Sequence, residues 1–430
     1  MDISQFQPVD RISNLTYNVI DKILMHFTIR DAAKTSILSK EWRYKWLNLS
    51  QLIFDDTLWQ ESERNRELTR MKFVEILYQV LLRHQGPVTK MSLIIPELIG
   101  GSEIDHLIYF LWKKGVEEFT LKMRVGEEYK LPSSLFMCLQ LKDLSLSSCL
   151  INPPPSFKGF NRLIRLELDF VTIDDRVLEN LISSCPLLEQ LVLHFINNVD
   201  YLEIDAPMLK LFELNCSTAS VFLKNSPHLA IVSVACGEEC DFGDGIHDDK
   251  AIPATFNNLK ILNLSAISLE SLEELSSVLR LMRSCPNLEE VKIVMFPYAA
   301  DERSDIMDFL KAQDYSDVLL NRLKKVTLSN IIGLVPEMAL IKLLLEKSPT
   351  LKRMVIVWGA FKFDDELLRT MKELIRFSRA SPNAEAEGIM FARSLAPNRM
   401  KKSFLDYISY VGQVKIEASR HQAIAKKGNG

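Results

Sequence analysis

The chain has 430 residues, of which 47% are hydrophobic and 25% charged, with a formal charge of −4 and an isoelectric point near 6.1. Such a composition supports a sizeable core and excludes a largely disordered chain. A slightly acidic balance argues against a general polyanion binder, so nucleic acid is not an expected partner.

Length alone allows about three domains or one continuous repeat array. No apolar run approaches the ~20 residues of a membrane helix, so no membrane partner is expected. Met1 to Pro8 has Asp2 and Gln5 in place of a basic start and an apolar core, unlike a signal peptide. Cys138, Cys149, Cys185, Cys216, Cys236, Cys240 and Cys285 are odd in number and scattered. They read as reduced thiols, which points to the nucleus and/or cytoplasm.

From Asp10 to Trp46, helical spacing places Leu15, Val19, Ile20, Ile23, Leu24 and Phe27 on one face and Ile29, Ala33, Ile37 and Leu38 on a second. Trp42 and Trp46 close the stretch beside Lys40 and Arg43. This spacing gives two or three short helices. They bury too little apolar surface to stand alone, so a partner or the rest of the chain must cover them. The aromatic and basic run Trp42 to Trp46 is better read as an anchor onto the next domain than as a nucleic-acid stacking surface.

Asn48 to Asp56 alternates apolar residues at Leu49, Leu52 and Phe54 and bridges into a second unit. Residues 58 to 84 then predict an amphipathic helix whose apolar face needs covering. Beyond it, one phrase repeats: an apolar residue, two others, an apolar residue, one other, an apolar residue. It occurs eleven times, from Val88/Met91/Leu93 through Leu163/Leu166/Leu168 and Leu259/Leu262/Leu264 to Leu351/Met354/Ile356, at spacings of 20 to 35 residues. The last two apolar residues of each phrase lie two apart, on the core side of a short strand, and stacked strands make a parallel sheet. Helical patterns at Ile104 to Lys114, Asp174 to Ser184, Ser271 to Ser284 and Glu337 to Lys347 fill the return path. Three of them end at Cys185-Pro186, Cys285-Pro286 and Ser348-Pro349, where proline pushes the preceding residue out of the helical region.

No catalytic constellation emerges. No phosphate-cradling glycine loop of either familiar spacing is present. Cys236 and Cys240 with His228 and His247 invite a zinc reading, but the three residues between the cysteines fit ligand spacing only loosely, and ordinary thiols are the better reading. The acidic segment Gly237 to Lys250 fails as a calcium loop because Gly243 stands where Asp or Asn is needed. The seven histidines are each isolated from any acid and nucleophile at a recognised spacing. Neither a metal nor a cofactor is therefore expected.

The order Leu15, Ile23-Leu24, Asp31, Ser39-Lys40 and Trp42-Arg43 resembles the F-box, the module that ties a substrate receptor to the Skp-type adaptor of a cullin ubiquitin ligase. SCPLLEQLVL at 184 to 193 returns as SCPNLEEVKI at 284 to 293 and KSPTLKRMVI at 347 to 356. Together with Leu323 to Ile356 and the RASPN of Arg379 to Asn383, this wording resembles plant F-box proteins that carry leucine-rich repeats followed by an FBD domain. The resemblance implies an α/β chain in which a three-helix F-box (8–50) leads through a linker and amphipathic helix (51–87) into a leucine-rich-repeat solenoid (88–320). FBD-like terminal repeats (321–385) and a basic tail (386–430) complete it.

The resemblance further implies a non-catalytic substrate receptor. Leu15, Thr16, Ile20, Ile23, Leu24, Phe27, Thr28 and Ile29 would contact the adaptor and, through it, the cullin. The family's usual prolines are replaced by Thr16 and Thr28, which are expected to cap the following helices, with weakened but real adaptor binding. An unknown target protein would meet the strand residues that alternate with the core leucines: Arg165, Glu167, Asp169, Gln190, His194, Glu213, Asn215, Glu290 and Lys292, followed by Lys325 and Thr327. Val355, Val357, Trp358 and Phe361 read as a covered terminal strand. The rival readings are a repeat scaffold with no ubiquitin connection and a small-molecule receptor.

Overall fold

The computed structural model describes residues 15–40, 42–55, 58, 66–95, 101–123, 128–199, 201–216, 220–236, 256–267, 272–296, 320–359 and 364–390. The zinc candidates Cys240 and His247, the acidic segment 237–250, Phe361 and the tail from 391 onward lie outside the described residues, as does the side chain of Cys236.

The N-terminal module is built from helices α1 (Tyr17–Leu24) and α2 (Ile29–Lys34) and two 3₁₀ turns, Thr35–Ile37 and Trp42–Asn48. Ile20, Leu24, Ile29, Ala32, Trp42 and Leu47 form its inside. Trp42 is thus part of the module's own core and not the anchor onto the next domain that was expected. Thr28 caps α2: its Oγ1 accepts from the Asp31 N–H at 3.2 Å and donates to Asp31 Oδ2 at 3.1 Å, without the return bond from Asp31 to the Thr28 backbone that a capping box would have. The expectation for Thr16 fails, because its side chain makes no cap hydrogen bond; its extended backbone (φ −65°, ψ 153°) merely turns the chain into α1.

Among the described residues, hydrogen bonds tie the module to the repeat body around Leu47 to Ser50. Asp21 accepts from the Ser50 N–H at 3.2 Å and from the Ser50 hydroxyl at 2.9 Å. His84 Nε2 lies 2.8 Å from the Leu49 carbonyl oxygen. Gly86 passes so close that a Cβ there would stand 2.7 Å from the Asn48 oxygen. Thr89 N–H donates to the Ser50 oxygen at 2.8 Å.

The chain then runs β1 (Gln51–Phe54), α3 (Arg66–Arg83), β2 (Lys90–Ile95), α4 (Gly101–Lys114), β3 (Glu118–Met123), β4 (Tyr129–Lys130), β5 (Asp143–Ser147), β6 (Cys149–Leu150) and β7 (Arg165–Asp169). It continues through α5 (Asp175–Ser183), β8 (Gln190–His194), β9 (Tyr201–Asp205), β10 (Leu211–Cys216), β11 (Ser220–Asn225), β12 (Ile231–Cys236), β13 (Ile261–Ile267), α6 (Leu272–Arg283) and β14 (Glu290–Met295). It ends with β15 (Lys325–Ile331), α7 (Val335–Lys347), β16 (Arg353–Trp358), α8 (Asp364–Arg376) and β17 (Glu385–Met390). Thirteen of these strands form one parallel sheet in the order β1-β2-β3-β5-β7-β8-β10-β12-β13-β14-β15-β16-β17.

The register aligns the repeat phrase with itself. Met91, Phe119, Leu144, Leu166 and Leu191 pair in sequence along one column, and Leu93, Leu121, Leu146, Leu168 and Leu193 along the next. All ten are buried and join the core that the helices cover. Each such side chain contributes about 1.5–3 kcal/mol by leaving water. The sheet exceeds the eleven expected strands at both ends. The bridge around Leu52 and Phe54 is itself the first strand, paired with β2, and β17 pairs with β16 inside what was expected to be the tail. β16 is therefore not the terminal strand expected, though its side chains are largely covered: Trp358 and Val355 are buried and Val357 half-buried.

Spacing decides the return path. Where successive phrases are only 20 or 21 residues apart, as at Leu188, Leu209 and Leu229, there is no room for a helix, and β9 and β11 form a small parallel sheet of their own. Longer repeats return through α4, α5, α6 and α7 at the places their periodicity predicts. Helix α5 starts on Asp174, whose carboxylate accepts from the Arg176 N–H at 3.1 Å, and it stops at Ser184 before Cys185-Pro186.

Candidate functional site

Two surfaces stand out, one on the N-terminal module and one on the sheet face opposite the helices. On the module, the expected adaptor residues divide. Ile20, Leu24 and Ile29 are at most 4% exposed and belong to the module's own core, which corrects their assignment to a contact surface. They pack against the 3₁₀ turns instead of waiting for a partner. Leu15 packs partly against the same core. Ile23 and Phe27 are exposed, Thr16 is exposed and Thr28 half-buried. Beside them Val19, Ile37, Leu38 and Tyr44 are also exposed, Ile37 at 87%. So many exposed large apolar side chains on about 35 residues are disfavoured in water, which makes this module's outside the candidate interaction surface.

The open face of the sheet carries the residues that alternate with the core columns. In register, its middle column reads Ser92, Thr120, Ser145, Glu167, Val192, Glu213, Ser233, Asn263, Lys292, Thr327, Val355 and Glu387. The expected target residues Arg165, Glu167, Asp169, Gln190, His194, Glu213 and Asn215 fall on the adjacent strands β7, β8 and β10 and are brought together. Arg165 Nη2 meets Glu167 Oε2 at 2.6 Å and Arg165 Nη1 meets Asp143 Oδ1 at 3.5 Å. His194 Nε2 lies 3.5 Å from Glu213 Oε1. Burial pushes the Asp169 carboxyl above its ordinary value, partly offset by His194 and Lys122. It does the same to Asp143, partly offset by Arg165.

Asn215 is buried and reads nothing directly. Glu290 and Lys292 lie apart on β14, beyond β12 and β13, where Asn263 Nδ2 donates to Ser233 Oγ at 2.9 Å in a small, neutral stretch. Lys325 is committed to Glu290 at 2.6 Å.

Sequence reasoning missed the rim of this face. Ser148, Phe170, Phe195, Ala266 and Asn330 all have left-handed backbones, with φ between 49° and 64°. Each stands two residues after the second strand leucine of its phrase: Leu146, Leu168, Leu193, Leu264 and Leu328. In the first three, the N–H donates to the next strand's carbonyl, Ser148 to Asp169 at 3.0 Å, Phe170 to His194 at 2.9 Å and Phe195 to Asn215 at 2.6 Å. Phe170 and Phe195 stack, with centroids 4.6 Å apart and planes 14° from parallel. The repeat slot was readable, but its left-handed backbone was not, because phenylalanine is among the residues least suited to it.

Other chemistry is thin. Cys138, Cys149 and Cys285 have thiols pushed up to about 12 by burial, and Cys185 to about 11; they stay protonated at neutral pH, unlike nucleophiles or metal ligands. Among the described residues no three His, Cys, Asp or Glu side chains approach a metal-binding group, and no helix is long and apolar enough to cross a membrane. A cleft of about 600 Å³ is lined by Asp105, Lys130 and Pro153 to Pro155. Its carboxylate is already held by the Tyr129 hydroxyl at 2.5 Å.

A small helical module with exposed apolar side chains, fixed to a parallel repeat sheet, defines a repeat-bearing interaction protein. Residues 104–241 match the repeats described for FBD-associated F-box protein At5g56370, and residues 317–356 match the FBD family. The chain is 33% identical over 409 residues to the F-box/FBD/LRR-repeat protein At1g13570 of Arabidopsis thaliana, covering 87% of this chain and 97% of that one. The putative F-box/FBD/LRR-repeat protein At4g13965 of the same plant is 27% identical, covering 84% of this chain and 81% of its own. The F-box/LRR-repeat protein At4g14103, also from that plant, matches at 29% over 52% of this chain and 60% of its own. The chain belongs to the F-box/FBD/LRR-repeat family.

Proposed function

We propose that the chain is the substrate-recognition subunit of a ubiquitin ligase of the Skp, cullin and F-box type. The exposed apolar side chains Val19, Ile23, Phe27, Ile37, Leu38 and Tyr44 seat the module on a Skp-type adaptor, and the open sheet face captures a target protein for ubiquitination and proteasomal degradation. The receptor acts without making or breaking a bond. By holding the target near the charged enzyme it raises the local concentration of target lysines. Work in the nucleus and/or cytoplasm fits this role.

The observation that carries the reading is a set of exposed apolar side chains on a module hydrogen-bonded, through Leu49 to His84 and Ser50 to Thr89, to a polar repeat surface. Pull-down with purified Skp-type adaptor tests it. The wild-type chain should be retained, and Ile23→Asp with Phe27→Asp should abolish retention without changing the melting temperature. If neither the wild type nor Thr16→Pro is retained, the chain has no ligase link and the repeat-scaffold reading takes its place. Affinity purification with and without a proteasome inhibitor separates the two in cells, since only a ligase target accumulates on inhibition.

A further inference from the structure

We propose that the stacked Phe170–Phe195 pair and the carboxylates beside it bind an arginine-bearing segment of the target protein. The proposal rests on the reading of the open face as the target surface and gives that target a chemistry.

The backbone is the first ground. A bulky residue in the left-handed region costs about 1–2 kcal/mol, and other repeats fill the same slot with Ser148, Ala266 or Asn330. Two neighbouring repeats instead carry phenylalanine there, in direct stack. Core packing does not account for it, because Phe170 is 48% exposed. Strain retained at a stacked pair of which Phe170 is exposed and Phe195 half-buried points to a contact that the free chain does not make.

Charge is the second ground. Asp169 precedes Phe170 and His194 precedes Phe195; Glu213 lies 3.5 Å from His194, and Glu167 stands two positions before Asp169 on the same strand, opposite Val192. Three carboxylates, Asp169, Glu167 and Glu213, thus outnumber the two permanent positive charges acting on this end of the face, Arg165 and Lys122. The face of an aromatic ring is itself negative. A planar, forked guanidinium satisfies both halves, stacking on the ring while its N–H groups reach carboxylate oxygens. An ammonium supplies only the charge, an apolar segment only the contact with the rings, and an acidic segment is repelled by both.

Fluorescence anisotropy on the full-length chain tests the proposal with labelled short peptides of alternating Arg and Ser, and with Lys, Leu and Glu in place of Arg. The Arg peptide should bind tightest, weaken with salt, and lose about tenfold in affinity on Phe170→Asn, the size of one partly desolvated cation–π contact. Asparagine tolerates the left-handed backbone, so an unchanged circular dichroism spectrum certifies the fold. Asp169→Asn should weaken Arg and Lys peptides alike, whereas Phe170→Asn should erase the preference between them. Tighter binding of the Leu or Glu peptide, or an unchanged Arg affinity in the folded Phe170→Asn form, overturns the proposal. Adaptor retention is read in parallel: a chain that holds the adaptor but shows no arginine preference refutes this inference alone, and a chain that does not hold the adaptor refutes the receptor reading.

Discussion

The N-terminal module and the repeat sheet solve the burial problem in opposite ways. In the sheet, the two apolar columns point into the core and are buried on every strand from β1 to β10, as at Leu144, Leu166 and Leu191. In the module, neighbours on a single helix go separate ways: Ile20 and Leu24 inward, Val19 and Ile23 outward. The sheet completes its own core because each repeat covers the next. The module is too small to do so, and its leftover apolar surface is what it offers a partner. Stability and recognition are therefore separable in the sheet and entangled in the module.

The largest expected effects fall in the sheet. Gly159 has φ +97°, and a Cβ there would stand 1.9 Å from the Ser184 carbonyl oxygen, at the turn that ends α5. Gly159→Ala should cost about 4 kcal/mol or more, because both the backbone and the neighbouring turn must move; denaturant melts measure it. Next, Leu168→Ala should cost about 2–5 kcal/mol through the cavity it leaves, while Phe27→Ala should cost under about 1 kcal/mol and yet weaken adaptor retention. If Phe27→Ala unfolds the chain, the module's outer surface is structural and the comparison fails.

Acidity sharpens the contrast, since one buried group lies at each end of the repeat body. Near the C-terminal end, Glu337 Oε2 accepts from the N–H groups of Ile332, Gly333 and Leu334 at 3.0, 2.7 and 2.9 Å, yet burial outweighs these bonds and pushes its carboxyl up to about 7. The folded chain then keeps a proton that the unfolded chain gives up above its ordinary 4.5. Stability from this group falls as pH rises from about 4.5 to 7, by on the order of 3 kcal/mol, and levels above that. At the joint, His84 is depressed below its ordinary value by burial, so the unfolded chain binds a proton more readily and stability falls as pH drops through 6.5. Glu337→Gln should remove the first slope and leave the second. Denaturant midpoints between pH 4.5 and 7.5 check it, and a loss of stability with rising pH that survives in Glu337→Gln assigns that effect elsewhere.

The same physics governs how much of the molecule was legible in its sequence. The repeat phrase announces its own burial, so Leu166, Leu168 and their counterparts could be placed before any coordinates. β17 escaped notice because its core columns hold Ala386 and Gly388, which carry almost no apolar signal, and its register comes from β16. In the module, a helical stripe names the apolar residues but not which of them meet the 3₁₀ turns, so Ile20 and Leu24 could not be told from Ile23. The rim stack depends on backbone angles that phenylalanine disfavours, and no residue preference advertises it.

The smallest effects separate the two threonines that stand where the family has proline. Both have backbones that proline would accept, φ −65° at Thr16 and −63° at Thr28. Only Thr28 works as a side-chain cap. Thr16→Pro should therefore stabilise by about 0.4–1 kcal/mol, by restricting the unfolded chain. Thr28→Pro gains the same and loses a cap worth about 1 kcal/mol, so it should come out near zero. If the module's order limits adaptor affinity, Thr16→Pro should tighten adaptor binding by at most about fivefold, the equivalent of that gain, and Thr28→Pro should not. Calorimetric melts and adaptor titrations of the two single variants decide it. A larger gain from Thr28→Pro would mean that the Thr28–Asp31 bonds contribute nothing and that the first turn of α2 is held by its packing against Trp42 alone.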